Sequence, residues 1–575
     1  MKVISLRALV VDFDGTLTEG GPPAPSILAD LVRFRAAGNR VVIATGRILD
    51  ELLTVFPEVL RVADVVVAEN GAMLATGEGV QRLAAPVSMD LDASLRERGV
   101  EFRRGQVLVA CQADAANAVL ESVHDLGLDA QLVFNRSELM VLPAGVSKGS
   151  GAAAALASLG LSPHNAVAIG DAENDHSLLA LCELAVAPAN AVEALKVHAD
   201  LVLDQRDGAA VSELISRVLD GESLPASSRW AITVGTDPQG TPVTLPVSEV
   251  NLLVAGNARS GKSYLAGLIA EQLVGLGYET LVIDPEGDHV GLRQLPGVTW
   301  FGGPDLPHDP GRLAEILGSP MGSVVVDLSH LGLDARIRWM EGLPEVVASE
   351  RERSGSPQWV IIDEAHLVAN DSRRVARFFA RRWGQYCFVT FLPDLLDPTI
   401  FDHLDLITVS GTAVGLPDGF AERVAAVADV HPGGIVEELL EAAPGTALVV
   451  RREPKGLTRC RIAGRHTGHL RHWHKYAVEP VPAHEFHFRS SNHHRTGTTA
   501  ASLAEFHAYL SGCDRSVIAH HAGHGDFSRW IHDTIADPVL ADQVRASEQS
   551  IATGTPPDQA REAILDAIRA RYLTS

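Results

Sequence analysis

Two phosphate-handling segments, each at the end of a buried apolar run, restrict this chain to open α/β sheets. Val10-Val11 leads into Asp12-Phe13-Asp14-Gly15-Thr16, and Leu252-Leu253-Val254-Ala255 leads into Gly256-Asn257-Ala258-Arg259-Ser260-Gly261-Lys262-Ser263. Open sheets bind ligands beyond the carboxyl ends of their strands, so both segments predict strands alternating with helices. The first suits a carboxylate that attacks phosphorus. The second suits a backbone cradle for a nucleotide triphosphate. They lie too far apart for one small domain, so the chain reads as two enzymes joined.

A length of 575 residues predicts about four domains of roughly 150 residues each. Hydrophobic residues make up 46%, enough for buried cores, and the net charge of −24 argues against a surface that embraces nucleic acid throughout. A local basic channel stays open. The five cysteines are scattered with no Cys-x-x-Cys pair, which is neither a disulfide framework nor a zinc spacing and suits a reducing cytoplasm. The start lacks a signal-peptide pattern, and no apolar run reaches the ~18 residues needed to span a bilayer, so a soluble, cytoplasmic protein without a membrane partner is expected.

Residues 1–220 alternate β-branched runs (Ala8–Val11, Arg40–Ala44, Val65–Ala68, Ala166–Ile169) with helical stretches at Ser26–Ala37 and Gly149–Leu159. Between about 82 and 147 an α+β insertion is expected as a cap, with strands at Gln106–Ala110 and Glu138–Leu142 around a helix at Asn117–Leu126. Residues 221–229 read as a linker. A β-rich lead-in at Trp230–Leu245 opens a second α/β domain over 230–450, and 451–575 is a basic, histidine-rich segment followed by helices near Ala501–Leu510 and Pro557–Tyr572.

The first site assembles from four segments. Asp12 and Asp14 flank one extended residue and face one crevice; their mutual repulsion calls for a hard divalent cation, which suits Mg²⁺. Thr45-Gly46-Arg47 ends a second strand with a hydroxyl, a backbone N–H and a cation for phosphate oxygens. Lys148 offers a point charge to an acyl phosphate. Asp171 and Asp175, in Gly170-Asp171-Ala172-Glu173-Asn174-Asp175, add two metal-facing carboxylates. Asp12 attacks phosphorus, Asp14 protonates the leaving oxygen, and water then releases the phosphate.

These motifs, with Ala68-Glu69-Asn70-Gly71-Ala72 between them, resemble the haloacid dehalogenase (HAD) phosphatases, in particular the Cof-like type IIB branch. The resemblance implies a Rossmann-like core with a substrate-selecting α+β cap and Mg²⁺ dependence. It implies small phosphomonoester substrates such as sugar phosphates or phosphoglycolate, with Asn70 and Asn174 orienting the phosphate.

In the second site the strand–loop–helix context predicts a P-loop, with Lys262 on the terminal phosphates of ATP and the Ser263 hydroxyl on Mg²⁺. Trp359-Val360-Ile361-Ile362-Asp363-Glu364 ends a buried strand in two acids. Asp363 suits a contact to the Mg²⁺ shell and Glu364 the polarising of water. With Val282-Ile283-Asp284-Pro285-Glu286-Gly287-Asp288, the stretch resembles HerA/FtsK-like P-loop ATPases. That implies a RecA-like domain and a homo-oligomer, usually a hexameric ring that often moves DNA. The sensor strand of that family usually ends Thr-Gln, whereas here it reads Val389-Thr390-Phe391. Arg373, Arg374, Arg377, Arg381 and Arg382 are candidate arginine fingers.

The stretch 451–475 is rich in Arg and Lys and holds His466, His469, His472 and His474, followed by His493-His494. It is expected to form a cationic surface rather than a zinc site. The leading expectation is a Mg²⁺-dependent phosphatase of small metabolites governed by an attached ATPase. The alternatives are a HerA-like nucleic-acid motor with an accessory phosphatase, and a nucleotide-gated scaffold.

Overall fold

The computed structural model describes residues 6–222, 224–257, 260–302, 310–313, 317, 322–380, 383–412, 416–467, 485–491, 494–535 and 537–573. Ala8–Asp12 is buried along its whole length and pairs in parallel with Ala166–Ile169 on one side and Arg40–Ala44 on the other. Chain order runs from Ala8–Asp12 through Arg40–Ala44 to Val65–Ala68 in one direction. It then jumps back to Ala166–Ile169, Leu184–Ala187 and Leu201–Val202 in the other. The reversal makes the crevice beside Asp12 a topological switch point, where such sheets take their ligands. Antiparallel Met73–Thr76 and Gly79–Arg82 complete this eight-stranded sheet among the described residues.

Four antiparallel strands, Phe102–Arg104, Val109–Gln112, Glu138–Pro143 and Ala130–Asn135, form the cap with helices Asp90–Glu97 and Ala116–Asp125. The strand expected at Gln106–Ala110 starts later, at Val109. The reason is a competing acceptor: the Gln106, Val107 and Leu108 N–H groups donate to the buried Glu69 carboxylate at 2.8, 2.7 and 3.1 Å. Core and cap are thereby tied together through one side chain.

The second sheet has eleven strands among the described residues. Its parallel centre runs Leu406–Ser410, Leu252–Gly256, Tyr386–Thr390, Trp359–Ile362, Thr280–Asp284, Ser323–Asp327 and Val298–Phe301. The antiparallel edge takes in Thr446–Arg451 and Gly456–Ile462, so the sheet continues beyond the expected end near residue 450. Three cations of the segment expected to form a basic surface are paired at this edge, while Arg461 is exposed and Arg471 and Lys475 lie outside the described residues. Arg452 donates to the Leu404 and Phe401 carbonyls, Arg459 pairs with Glu438 and Glu441, and Lys455 pairs with Asp429. Beyond it, the hairpin Phe486–Ser491 and His494–Ala500 packs on helices Leu503–Gly512, Arg515–His524, Pro538–Ala552 and Pro557–Ile568 around Phe486, Phe506, Phe527 and Trp530.

The two sheets meet through their amino ends. Arg7, one residue before its strand, donates to the Arg351 carbonyl at 2.9 Å. Asn165, also one residue before its strand, donates to Gly355 and accepts from Gln358. At the centre, buried Glu183 accepts from the Tyr278 hydroxyl at 2.9 Å and the Ser248 hydroxyl at 2.6 Å, and lies 2.7 Å from His164 Nδ1. The expected linker 221–229 ends in Arg229, which pairs with Asp200 and donates to the Leu179 and Cys182 carbonyls. Both carboxyl ends, and the motifs they carry, therefore open on opposite poles. Glu183→Ala strands three buried partners, which costs about 3–5 kcal/mol. Its melt is expected to split into two transitions, with faster proteolysis at 221–229. An unchanged single transition contradicts this.

Candidate functional site

Lys148 is delivered to the switch point by a helix start. Ser147 and Ser150 form a reciprocal capping box, so Lys148 occupies the first turn of the helix Lys148–Ser158. The helix seats against the turn Glu69–Gly71, where a Cβ on Gly71 (φ 107°) would fall 1.9 Å from the Ser147 carbonyl oxygen. That close approach requires glycine.

From this position the ammonium, 1% exposed, bridges Asp12 at 2.5 Å and Asp175 at 2.6 Å. Asp171 lies beside them and accepts from Thr16 at 3.0 Å. Carboxylate oxygens of Asp12, Asp171 and Asp175 lie within 4.8 Å of one another. Burial, then Asp175, push the Asp12 carboxyl well above its ordinary pKa against the pull of Lys148. Burial and Asp175 likewise raise Asp171. Burial works against the Lys148 charge, but the two carboxylates outweigh it and hold its pKa above the ordinary value. Three buried acids short of positive charge are the donor set that a hard divalent cation takes.

Asp14, expected among these acids, turns away. Arg47 grips its carboxylate through two hydrogen bonds, at 2.8 and 2.5 Å, so the cation expected on the phosphate is held by an acid of the same cavity. Thr45 is buried and its hydroxyl accepts from the Arg47 N–H, while Gly46 lines the cavity. Asn174 donates to Asn70 at 3.1 Å, and its own carbonyl oxygen is buried with no partner among the described residues. The cavity between core and cap measures about 700 Å³.

Because Asp12 and Asp171 have raised folded-state pKa values, the folded protein keeps their protons where the unfolded chain has lost them. Their contribution to stability is complete below the unfolded carboxyl range and is lost as pH rises through the folded values. Metal-free protein is expected to melt a few degrees lower as pH goes from acidic toward neutral, and saturating Mg²⁺ to restore the loss. A pH-independent melt, or one blind to Mg²⁺, contradicts this cluster.

At the other pole Gly256 (φ 151°) ends its strand so close to Ser410 that a Cβ would meet the Ser410 carbonyl oxygen at 2.1 Å. Gly261 (φ 93°) precedes the helix Lys262–Gly275, which presents Lys262 and Ser263 on its first turn. Lys262 donates to the Asn257 carbonyl at 2.8 Å and lies over the Phe391 ring, the position where the resembled ATPases carry glutamine. Asp363 accepts from the Glu364 N–H and lies 3.0 Å from buried His289 Nε2. The His289 backbone N–H donates to Asp284 at 2.7 Å, and its Nδ1 is buried with no hydrogen-bond partner among the described residues. Burial, Asp363 and Glu286 push Glu364 up to about 9. The Ser260 and Ser410 hydroxyls and one Glu364 oxygen are buried without hydrogen-bond partners among the described residues. Orphaned polar atoms around a P-loop fit a bound triphosphate and its cation. Ala258 and Arg259 lie outside the described residues.

Of the finger candidates, Arg374 pairs with Glu341 and Arg377 with Glu345, Arg373 is exposed, and Arg381 and Arg382 lie outside the described residues. His469, His472, His474 and His493 also lie outside them. The His466 N–H donates to Glu271. His520, His521 and Asp526 converge further on. Both His521 nitrogens are spent there, Nδ1 facing Asp526 at 2.8 Å and Nε2 accepting from the Arg489 N–H at 2.8 Å, so the group is a hydrogen-bonded brace. Glu69, Arg136, His289 and Glu183 were not singled out from sequence. Glu69 sits inside a quoted motif, and His289 directly follows one; the other two carry no local signal.

The family described as haloacid dehalogenase-like hydrolase matches residues 9–88 and 123–215, and the family described as the central domain of helicase HerA matches 232–336. Over 225 residues the chain is 32% identical to a phosphoglycolate phosphatase of Haloarcula marismortui, covering 37% of this chain and 97% of that protein. A phosphoglycolate phosphatase of Sulfurisphaera tokodaii is 32% identical over 139 residues, covering 24% of this chain and 60% of that protein. A solved HAD subclass IIB sugar phosphatase is similar at 21% identity, covering 37% of this chain and 98% of its own, with a TM-score of 0.32.

Proposed function

Since the chain belongs to the haloacid dehalogenase-like hydrolases, with a HerA-like module joined behind, we propose that it hydrolyses a small phosphomonoester through an aspartyl phosphate on Asp12. The observation that carries this is the buried bridge of Lys148 between Asp12 and Asp175 beside Asp171 at the switch point. Asp12, Asp171 and Asp175 would hold Mg²⁺, which when bound would supply charge neutralisation for the incoming phosphate. Lys148 aligns Asp12 for attack, and its charge together with that of the cation would offset the burial that favours the protonated acid. Arg47 and the Thr45 and Gly46 turn face the cavity where phosphate oxygens arrive, and a phosphate taken by Arg47 frees Asp14 to handle the leaving-group proton. Asn70 and Asn174, joined to each other, steady the same oxygens. The phosphoglycolate phosphatases among the similar proteins support substrates of that size.

Lys262, Ser263, Asp363 and Glu364 hold and hydrolyse ATP in this proposal, in an oligomer that ATP assembles. The two sites open on opposite poles, so no substrate passes between them. Coupling runs instead through the buried contact of His164, Glu183, Tyr278 and Ser248, and ATP sets the phosphatase by changing the arrangement of the joined halves. The test is phosphate release from a panel of phosphometabolites with Mg²⁺, with and without ATP, alongside particle size. Hydrolysis of none of them removes the phosphatase. Turnover and size that ignore ATP remove the coupling.

A further inference from the structure

The cap sends one cation into the catalytic cavity that the chemistry above leaves unused. Arg136 forms the tip of the hairpin joining Ala130–Asn135 to Glu138–Pro143, in a left-handed backbone conformation (φ 52°) that L residues rarely adopt. From that tip its guanidinium crosses to the core, pairs with Asp171, and lies so close over Gly15 that a Cβ there would fall 2.8 Å from an Arg136 nitrogen. Of the other arginines lining the cavity, Arg47 rests on Asp14 and is assigned to the phosphate, Arg103 pairs with Glu51 and Glu138, and Arg206 stands against Asp207 on the core side. Arg136 leans instead on a carboxylate that belongs to the metal cluster. The Arg136 side chain is 54% exposed and lines the cavity, so a cation that drew on Asp171 would leave this guanidinium to a group of the substrate.

We propose that Arg136 reads a second anionic group on the substrate, a carboxylate one or two bonds from the phosphate ester. The protein then prefers short phosphorylated acids to neutral sugar phosphates. The assignment rests on the phosphomonoesterase proposed above and narrows its substrate class. A guanidinium fork matches a planar carboxylate through two parallel hydrogen bonds. A more highly charged second phosphate meets Asp14, Glu19 and Asp207 on the cavity wall, which repel it.

The test compares 2-phosphoglycolate with its neutral counterpart, 2-hydroxyethyl phosphate, at saturating Mg²⁺ on the full chain. Wild type is expected to favour the acid by roughly 10- to 100-fold in kcat/KM. Arg136→Ala erases that preference, mainly through KM, and leaves the neutral ester within about twofold of wild type; Arg136→Lys restores part of it. Without substrate, calorimetric titration of Arg136→Ala with Mg²⁺ gives tighter binding than wild type, because a competing cation has left Asp171. Equal losses on both esters, or a preference that survives in Arg136→Ala, overturn the assignment. Unchanged Mg²⁺ affinity removes the competition on which it stands. If wild type hydrolyses no phosphomonoester at all, the parent proposal falls instead.

Discussion

Asp12→Asn lowers phosphate release by about 10⁴-fold or more, with the fold kept. An amide cannot attack phosphorus, and in the proposed mechanism the neighbouring acids have other work: Asp171 and Asp175 on the cation and Asp14 on the leaving-group proton. The loss is separable from unfolding. Burial and Asp175 already disfavour the Asp12 charge, so a neutral amide of the same shape relieves the cluster. The melting temperature is therefore expected to hold or rise, whereas a damaged core would lower it. Steady-state turnover, differential scanning calorimetry and beryllofluoride trapping together decide the point. Turnover within tenfold of wild type, or trapping on another carboxylate, ends the aspartyl-phosphate mechanism.

What could be read in the sequence was whatever a short segment places by itself. Asp12, Thr45, Asp171 and Lys148 each sit at a strand end or helix start, where periodicity and capping fix the direction of the side chain. Parallel pairing then brings them together, Asp12 lying opposite Ala44 and Val11 opposite Ile169. Partners distant along the chain were not legible. Arg47 carries no sign that Asp14 will hold it. Arg136 looks like any arginine in a polar turn until the cap folds over the core. The cations of 451–467 look like a surface until Gly456–Ile462 joins the sheet and places Arg459 beside Glu438 and Glu441. Glu69 is the sharpest case: three backbone N–H groups of the cap leave their strand to reach it, and local β-propensity has no means of anticipating that acceptor.

Glu364→Gln is expected to slow ATP hydrolysis by about 10²- to 10⁴-fold while nucleotide still binds. Glu364 stands in a left-handed conformation (φ 50°) at its strand end, with one buried oxygen that has no hydrogen bond among the described residues and lies 3.4 Å from His366 Nδ1, open to an incoming water. Glutamine keeps its size but cannot accept a proton, which Glu364 can do once the cation of the bound nucleotide offsets the burial and neighbouring acids that raise it. Lys262, the Gly256 turn and Asp363 with its His289 brace are untouched, so the variant should hold ATP and stay in the ATP-bound arrangement. That distinguishes binding from hydrolysis as the controlling event. If ATP acts by setting how the joined halves are arranged, the variant's phosphatase remains at the value wild type shows with ATP, even after prolonged incubation. If hydrolysis does the work, it stays at the nucleotide-free value. Continued ATP turnover in the variant would remove Glu364 from the water-activating role, and Asp363 would then be the only acid of that strand end left to fill it.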